Sequence, residues 1–169
     1  MLTEIITQII KSNIKMQTEK YMRMALDQAN LASLCQEVPI GAVVVSAEGQ
    51  VLGQSYNQVE QRHSQAAHAE LLALQQAGNN LGDWRLSGCT IYVTLEPCAM
   101  CMSAILLSRV SKVVFASGSP LYGYRVDKRI NFALYNCPIV VQEGILEQEA
   151  TALLRAFFKT CREKDVDGC

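Results

Sequence analysis

The stretch TLEPCAMC, residues 94–101, places Cys98 and Cys101 at positions i and i+3, directly behind a Glu-Pro step. Two thiols at that spacing serve as a redox pair, a disulfide, half of a structural zinc site or half of a catalytic one. The chain holds seven cysteines in 169 residues, an odd and scattered set that points to reduced thiols. Metal binding or catalysis then outweighs a disulfide. Zinc prefers thiolate sulfur and imidazole nitrogen, and the histidines are His63 and His68. A loop histidine is ordinarily just solvated. His68 differs because it opens HAE, which sets Glu70 two residues further on at the start of an expected helix.

On a regular helix, positions i and i+2 lie about 200° apart and share no face. His68 and Glu70 therefore serve one site only if it lies off the helix N-terminus, where the backbone is not yet regular. Cys98 and Cys101 can share a face, and Pro97 suits a first helical position. The picture is two helix N-termini aimed at one ion, with both positive dipole ends favouring thiolates. His68, Cys98 and Cys101 make three ligands. Cys89 opens a strand, and Cys35, Cys137, Cys161 and Cys169 sit near element ends or in the tail, so no fourth stands out. Closed structural sites use four protein ligands, whereas catalytic sites leave a position for water, whose pKa falls toward ~7. Glu70 is placed to carry that water's proton. Its bland alternative, a first-turn acid favouring the helix dipole, is worth only ~0.5 kcal/mol.

The elements that must hold these residues can be read from pattern. Residues 1–16 form an amphipathic lead-in with Ile5, Ile6, Ile9 and Ile10, and residues 18–34 repeat apolar positions near a helical period. PIGAVVVS and GQVLGQSYN flank a turn and predict a hairpin. A helix is expected over 68–77, a buried strand over 89–95, a helix over 97–108, strands over 112–117 and 137–142, and a closing helix over 146–163. Alternation of this kind indicates an α/β layered domain with a mixed sheet. The divisions are an extension at 1–16, one domain at 17–164 and a tail at 165–169.

Half of the residues are apolar and 18% are charged, which suits one globular domain with a proper core. No apolar run approaches the ~20 residues needed to span a bilayer. MLTEIITQIIKSNIK lacks the basic start and cleavage site of a secretory signal, so a cytoplasmic location is expected. A net charge of −1 excludes nucleic-acid binding by bulk attraction and leaves only local patches. Two such patches exist. Arg155, Lys159 and Arg162 recur at i, i+4 and i+7. Arg125, Lys128 and Arg129 interleave with Tyr122 and Tyr124, whose rings could stack on unpaired bases.

HAE at 68–70 and PCAMC at 97–101 match the pattern H-x-E followed by P-C-x-x-C. The chain thereby resembles the zinc-dependent cytidine deaminase superfamily, most nearly its tRNA-specific adenosine deaminases. EVPIGAVVV, WRL, TIYVTLEPCAMC and SRVSKVVF carry the likeness from Tyr21 to Phe115, with a weaker match over 143–158. The resemblance implies a three-layer α/β/α sandwich with a five-stranded mixed sheet. It implies one Zn2+ per subunit on His68, Cys98 and Cys101, with Glu70 shuttling protons. Asn57 would hydrogen-bond the target base, Ala69 would offer it backbone contacts, and N–H groups near Pro97 would steady the hydroxide. It also implies a homodimer and conversion of adenosine to inosine at the anticodon wobble position. One departure stands out: Ser119 occupies the place of an Asp that contacts the substrate backbone in the tRNA enzymes. A free nucleobase or nucleoside deaminase, of guanine or cytosine type, shares the same metal residues. A silent zinc scaffold would have no use for Glu70.

Overall fold

A computed structural model describes residues 1–126 and 138–166. The elements run α1 (Leu2–Leu34), β1 (Gly41–Val45), β2 (Val51–Tyr56), the short α2 (Val59–Arg62), a 3-10 turn (Gln65–Ala67), α3 (Ala69–Leu81), β3 (Thr90–Leu95), α4 (Ala99–Leu107), β4 (Lys112–Ser117), β5 (Val140–Glu143) and α5 (Glu147–Val166). The sheet order is β2-β1-β3-β4-β5. β1 lies antiparallel to β2 and β3, while β3, β4 and β5 are parallel. This is the mixed five-stranded sheet that the sequence predicts.

Strand side chains alternate between faces, and here both faces are covered. Val44, Ile91, Val93, Val113 and Phe115 pack with α3 and α4 side chains such as Ala73 and Ile105. Val43, Val45, Tyr92 and Val114 turn the other way, onto Tyr21, Met22 and Ala25 of α1 and Ala150 of α5. Close approach of helix to sheet depends on Gly41, where a side chain would strike the α1 backbone at Ala25 and Ala29. The result is a three-layer sandwich whose parallel strands point their C-terminal ends toward one edge, the usual place for a site in open α/β sheets.

Several boundaries differ from expectation. α1 is unbroken from Leu2, so residues 1–16 continue the helix that packs on the sheet. α4 begins at Ala99 rather than at Pro97. Cys98 is its N-cap, with φ −70° and ψ 171°, and its carbonyl accepts the first helical bond from Met102 N–H. Pro97 therefore lies outside the helix. The turns at 59–67 are short and amphipathic in neither period, so no pattern announced them. β5 starts at Val140; the expected start at Cys137 lies outside the described residues. Among the described residues no helix is long and apolar enough to cross a membrane.

Candidate metal centre

His68 and Cys98 occupy equivalent places: each is the extended N-cap of the helix that follows it, α3 and α4. That local geometry lets His68 reach the same point as Glu70 despite the i, i+2 spacing, because His68 precedes the regular helix. Nδ1 of His68 stands 3.8 Å from Cys98 Sγ and 3.4 Å from Cys101 Sγ, and all three donor atoms lie within 4.8 Å of one another. Tetrahedral zinc with ordinary Zn–N and Zn–S bonds requires N···S separations of about 3.6 Å. The measured pair brackets that value. Among the described residues this is the one His/Cys/Asp/Glu cluster with metal-holding geometry, and its donor set fits zinc.

The electrostatics agree. Cys98 shares hydrogen bonds with Cys101 and His68, which together overcome its burial and hold its thiol near a pKa of about 4. The thiolate in turn raises His68. Cys101 is pushed up by its bond to Cys98 and by burial, so it keeps its proton beside the Cys98 thiolate. Glu70 is 4% exposed, and burial raises its carboxyl above the ordinary range. It adjoins Cys101, which places a buried carboxyl beside the three donors.

His68, Glu70 and Cys98 form the inner end of a cleft of about 660 Å³. Val38, Ile40 and Leu95 line its apolar side, Ser117–Tyr122 one wall, and Thr151, Leu154, Arg155, Phe158 and Arg162 of α5 the other. The predicted cations divide here. Arg155 and Arg162 face the cleft, whereas Lys159 pairs on the surface with Glu163 at 3.8 Å. Arg125 is turned to Glu96 and Glu143, at 2.8 and 2.7 Å, and serves as an internal bracket. Lys128 and Arg129 lie outside the described residues. Asn57 is buried and donates from Nδ2 to Glu37 Oε2 at 3.1 Å, while its own N–H is held by the carbonyl of Ile40, a cleft residue. Ala69 is fully buried at the start of α3. Pro97 accepts a hydrogen bond on its carbonyl from Tyr124 N–H, 2.9 Å away.

Two functional-looking carboxylates escaped the sequence reading. Glu37 is fully buried and accepts from both Asn57 and Gln61 N–H. Glu96, 5% exposed, accepts from Ser119 N–H, Arg125 N–H and the Arg125 guanidinium. It thereby folds the 118–125 loop against the start of α4, where Cys98 and Gly123 also bridge. An acid one or two positions before a proline, as in LEP and EVP, was the available signal. Ser119 is buried, and its Oγ accepts from Tyr122 N–H at 3.4 Å, so the hydroxyl closes the turn at the cleft wall.

An α/β/α sandwich that aims two helix N-termini and an imidazole–dithiol cluster into a cleft defines a zinc-dependent hydrolytic enzyme. Residues 15–117 match the family model described as the cytidine and deoxycytidylate deaminase zinc-binding region. The chain is 42% identical over 150 residues to the tRNA-specific adenosine deaminase of Bacillus subtilis, covering 88% of this chain and 92% of that one. It is 38% identical over 148 residues to the Aquifex aeolicus enzyme of the same name, covering 85% and 95%. A solved structure from work on A-to-I editing by tRNA:A34 deaminases superposes with a TM-score of 0.74 at 35% identity, covering 80% of this chain and 99% of that one. The guanine deaminase of Nitrosomonas europaea superposes with a TM-score of 0.73 at 28% identity, covering 82% and 83%. The chain belongs to the zinc-dependent deaminase family, among the relatives of the tRNA-specific adenosine deaminases.

Proposed function

We propose that this enzyme hydrolyses the exocyclic amine of adenosine at the wobble position of a tRNA anticodon, giving inosine and ammonia. The observation that carries the reading is the set of three donors at zinc-fitting separations beside a buried carboxylate, in a chain 42% identical to a curated tRNA-specific adenosine deaminase. His68, Cys98 and Cys101 hold the ion, which when bound supplies Lewis acidity that makes water nucleophilic near neutral pH. Glu70 accepts a proton from the attacking water and returns it to the departing amine. Its burial suits that exchange, because a raised carboxyl pKa lets it both take and give. Asn57, fixed by Glu37, presents its remaining amide capacity to the base edge, and the Ala69 and Pro97 backbone borders the base.

Arg155 and Arg162 lie on the cleft wall, where they meet phosphates flanking an extruded base. Tyr122, 78% exposed at the rim, offers a stacking face. The family resemblance supports a cytoplasmic homodimer whose subunits complete one another's groove. The test offers purified enzyme a wobble-adenosine anticodon stem-loop and, separately, guanine, cytosine and their nucleosides. Inosine in the stem-loop with no ammonia from the small substrates is expected. Turnover of guanine with an unedited stem-loop would overturn the RNA assignment and leave a nucleobase deaminase.

A further inference from the structure

The first four turns of α1 take no part in the site or the core, whose α1 contribution begins at Thr18. They nevertheless carry Leu2, Ile5, Ile6, Ile9, Ile10 and Met16, exposed by 76, 48, 50, 54, 52 and 67%. At about 100° per residue these six fall within an arc of about 140°. Glu4, Lys11 and Lys15 gather on the opposite side. The α1 residues that pack on the sheet, Thr18, Tyr21, Met22, Ala25, Ala29 and Ala32, span an arc of about 100° whose centre lies about 140° from that of the stripe. The apolar stripe thus lies mostly off the sheet-facing side of α1 and is exposed among the described residues, although Asn13 at its inner end also borders a groove shared with Ser46–Gly49.

The spacing within the stripe is more specific than amphipathicity. Leu2, Ile6, Ile9, Asn13 and Met16 follow one another at intervals of 4, 3, 4 and 3, the alternation of a coiled-coil seam. Its polar member, Asn13, sits where a single asparagine fixes a parallel register by meeting its own copy. Six half-exposed side chains offer roughly 100 Å² each, or on the order of 1,200 Å² across a pair, which reaches the lower bound for a stable interface. A helix this short is marginal alone, but here it is already nucleated by the packed half of α1. A lipid surface fits less well: Lys15 is paired with Glu19, Glu4 is taken by the N-terminal ammonium, and Lys11 by itself makes no basic face. Asn13 would also lack a partner in acyl chains.

From this geometry we infer that residues 2–16 pair in parallel with the same segment of a second copy of this chain, Asn13 against Asn13, with the two bodies facing outward. The pairing is separate from any groove-completing contact near the zinc centre. Alone it gives a dimer; added to such a contact it joins dimers into a tetramer or a larger particle.

The experiment compares sedimentation of the full-length zinc-loaded chain with the Ile6→Glu/Ile9→Glu double variant over a micromolar dilution series. The double variant lowers the particle mass at least twofold while zinc content stays at the parent value, since neither residue is buried in the single chain. Ile14→Glu, exposed but outside the stripe, leaves the mass unchanged, and Asn13→Ile yields larger or mixed species. A double variant with the parent's mass overturns the inference. So does an equal mass loss in Ile14→Glu, or a full-length chain that floats with anionic phosphatidylserine vesicles through the stripe while its mass in solution is indifferent to it.

Discussion

Gly123→Ala tests how the substrate wall is fastened to the metal helix. A Cβ at position 123 would lie 2.5 and 2.7 Å from the two carboxylate oxygens of Glu96, well inside contact. Glu96 has nowhere to go: it is 5% exposed and accepts from Ser119 N–H at 3.0 Å, Arg125 N–H at 3.3 Å and Arg125 Nε at 2.8 Å. Displacing the carboxylate orphans the buried Ser119 N–H, worth about 1–3 kcal/mol. Loss of the charge-assisted bonds adds less than its buried value, because the Arg125 side chain is 44% exposed and regains water. The sum is about 2–4 kcal/mol, which at ~2–4 °C per kcal/mol for a chain of this size lowers melting by roughly 5–15 °C. Differential scanning calorimetry of the zinc-loaded protein measures it. The double variant Gly123→Ala/Glu96→Ala melts no lower than Glu96→Ala alone, because both remove one bracket. Because the bracket positions Ser119, Leu121 and Tyr122 on the cleft wall, KM for a stem-loop rises in Gly123→Ala while zinc content holds. A variant that melts with the parent, or a double variant in which the two losses add, refutes the reasoning.

Other outcomes follow from the same coordinates. Glu70→Gln keeps the ion and loses turnover by the 10²–10⁴-fold or more typical of a lost proton carrier, read as ammonia release beside zinc content. Arg155→Ala and Arg162→Ala each weaken stem-loop binding and reduce the salt slope by about 1, whereas Lys159→Ala, held off the cleft by Glu163, changes little. Burial alone would raise Glu96, but the Arg125 guanidinium and two backbone N–H groups outweigh it and hold its carboxyl below its ordinary 4.5. Its stabilisation is therefore complete above that value and lost as pH falls below it. Melting of the parent drops more steeply than that of Glu96→Gln between about pH 5 and 3, and parallel curves would contradict the bracket.

The metal cluster and sheet were legible in the sequence for different reasons. HAE and PCAMC combine ligand chemistry with helix-start signals, and both signals come from neighbouring residues, so local reading suffices. Val43, Val44, Ile91 and Val93 advertise buried strands by being apolar on both faces. The fate of Arg125 was not legible. Its partners Glu96 and Glu143 lie 29 and 18 positions away, and only the parallel pairing of β4 with β5 brings Glu143 alongside Phe115. A charge run in a loop gives no sign of which carboxylate it will meet. Glu37 was hidden likewise, since its partner Asn57 is 20 residues on, across the hairpin. The helix start at 97 was misplaced because proline suits N1, yet Cys98 needs an extended ψ to turn its sulfur toward His68.

Zinc K-edge absorption fine structure on the purified, metal-loaded chain tests the central claim most directly. Two sulfurs near 2.3 Å and two lighter donors near 2.0 Å, in one ion per chain, are expected for a His–Cys–Cys site with an open corner. A third or fourth sulfur, or a chain that retains no zinc, contradicts it.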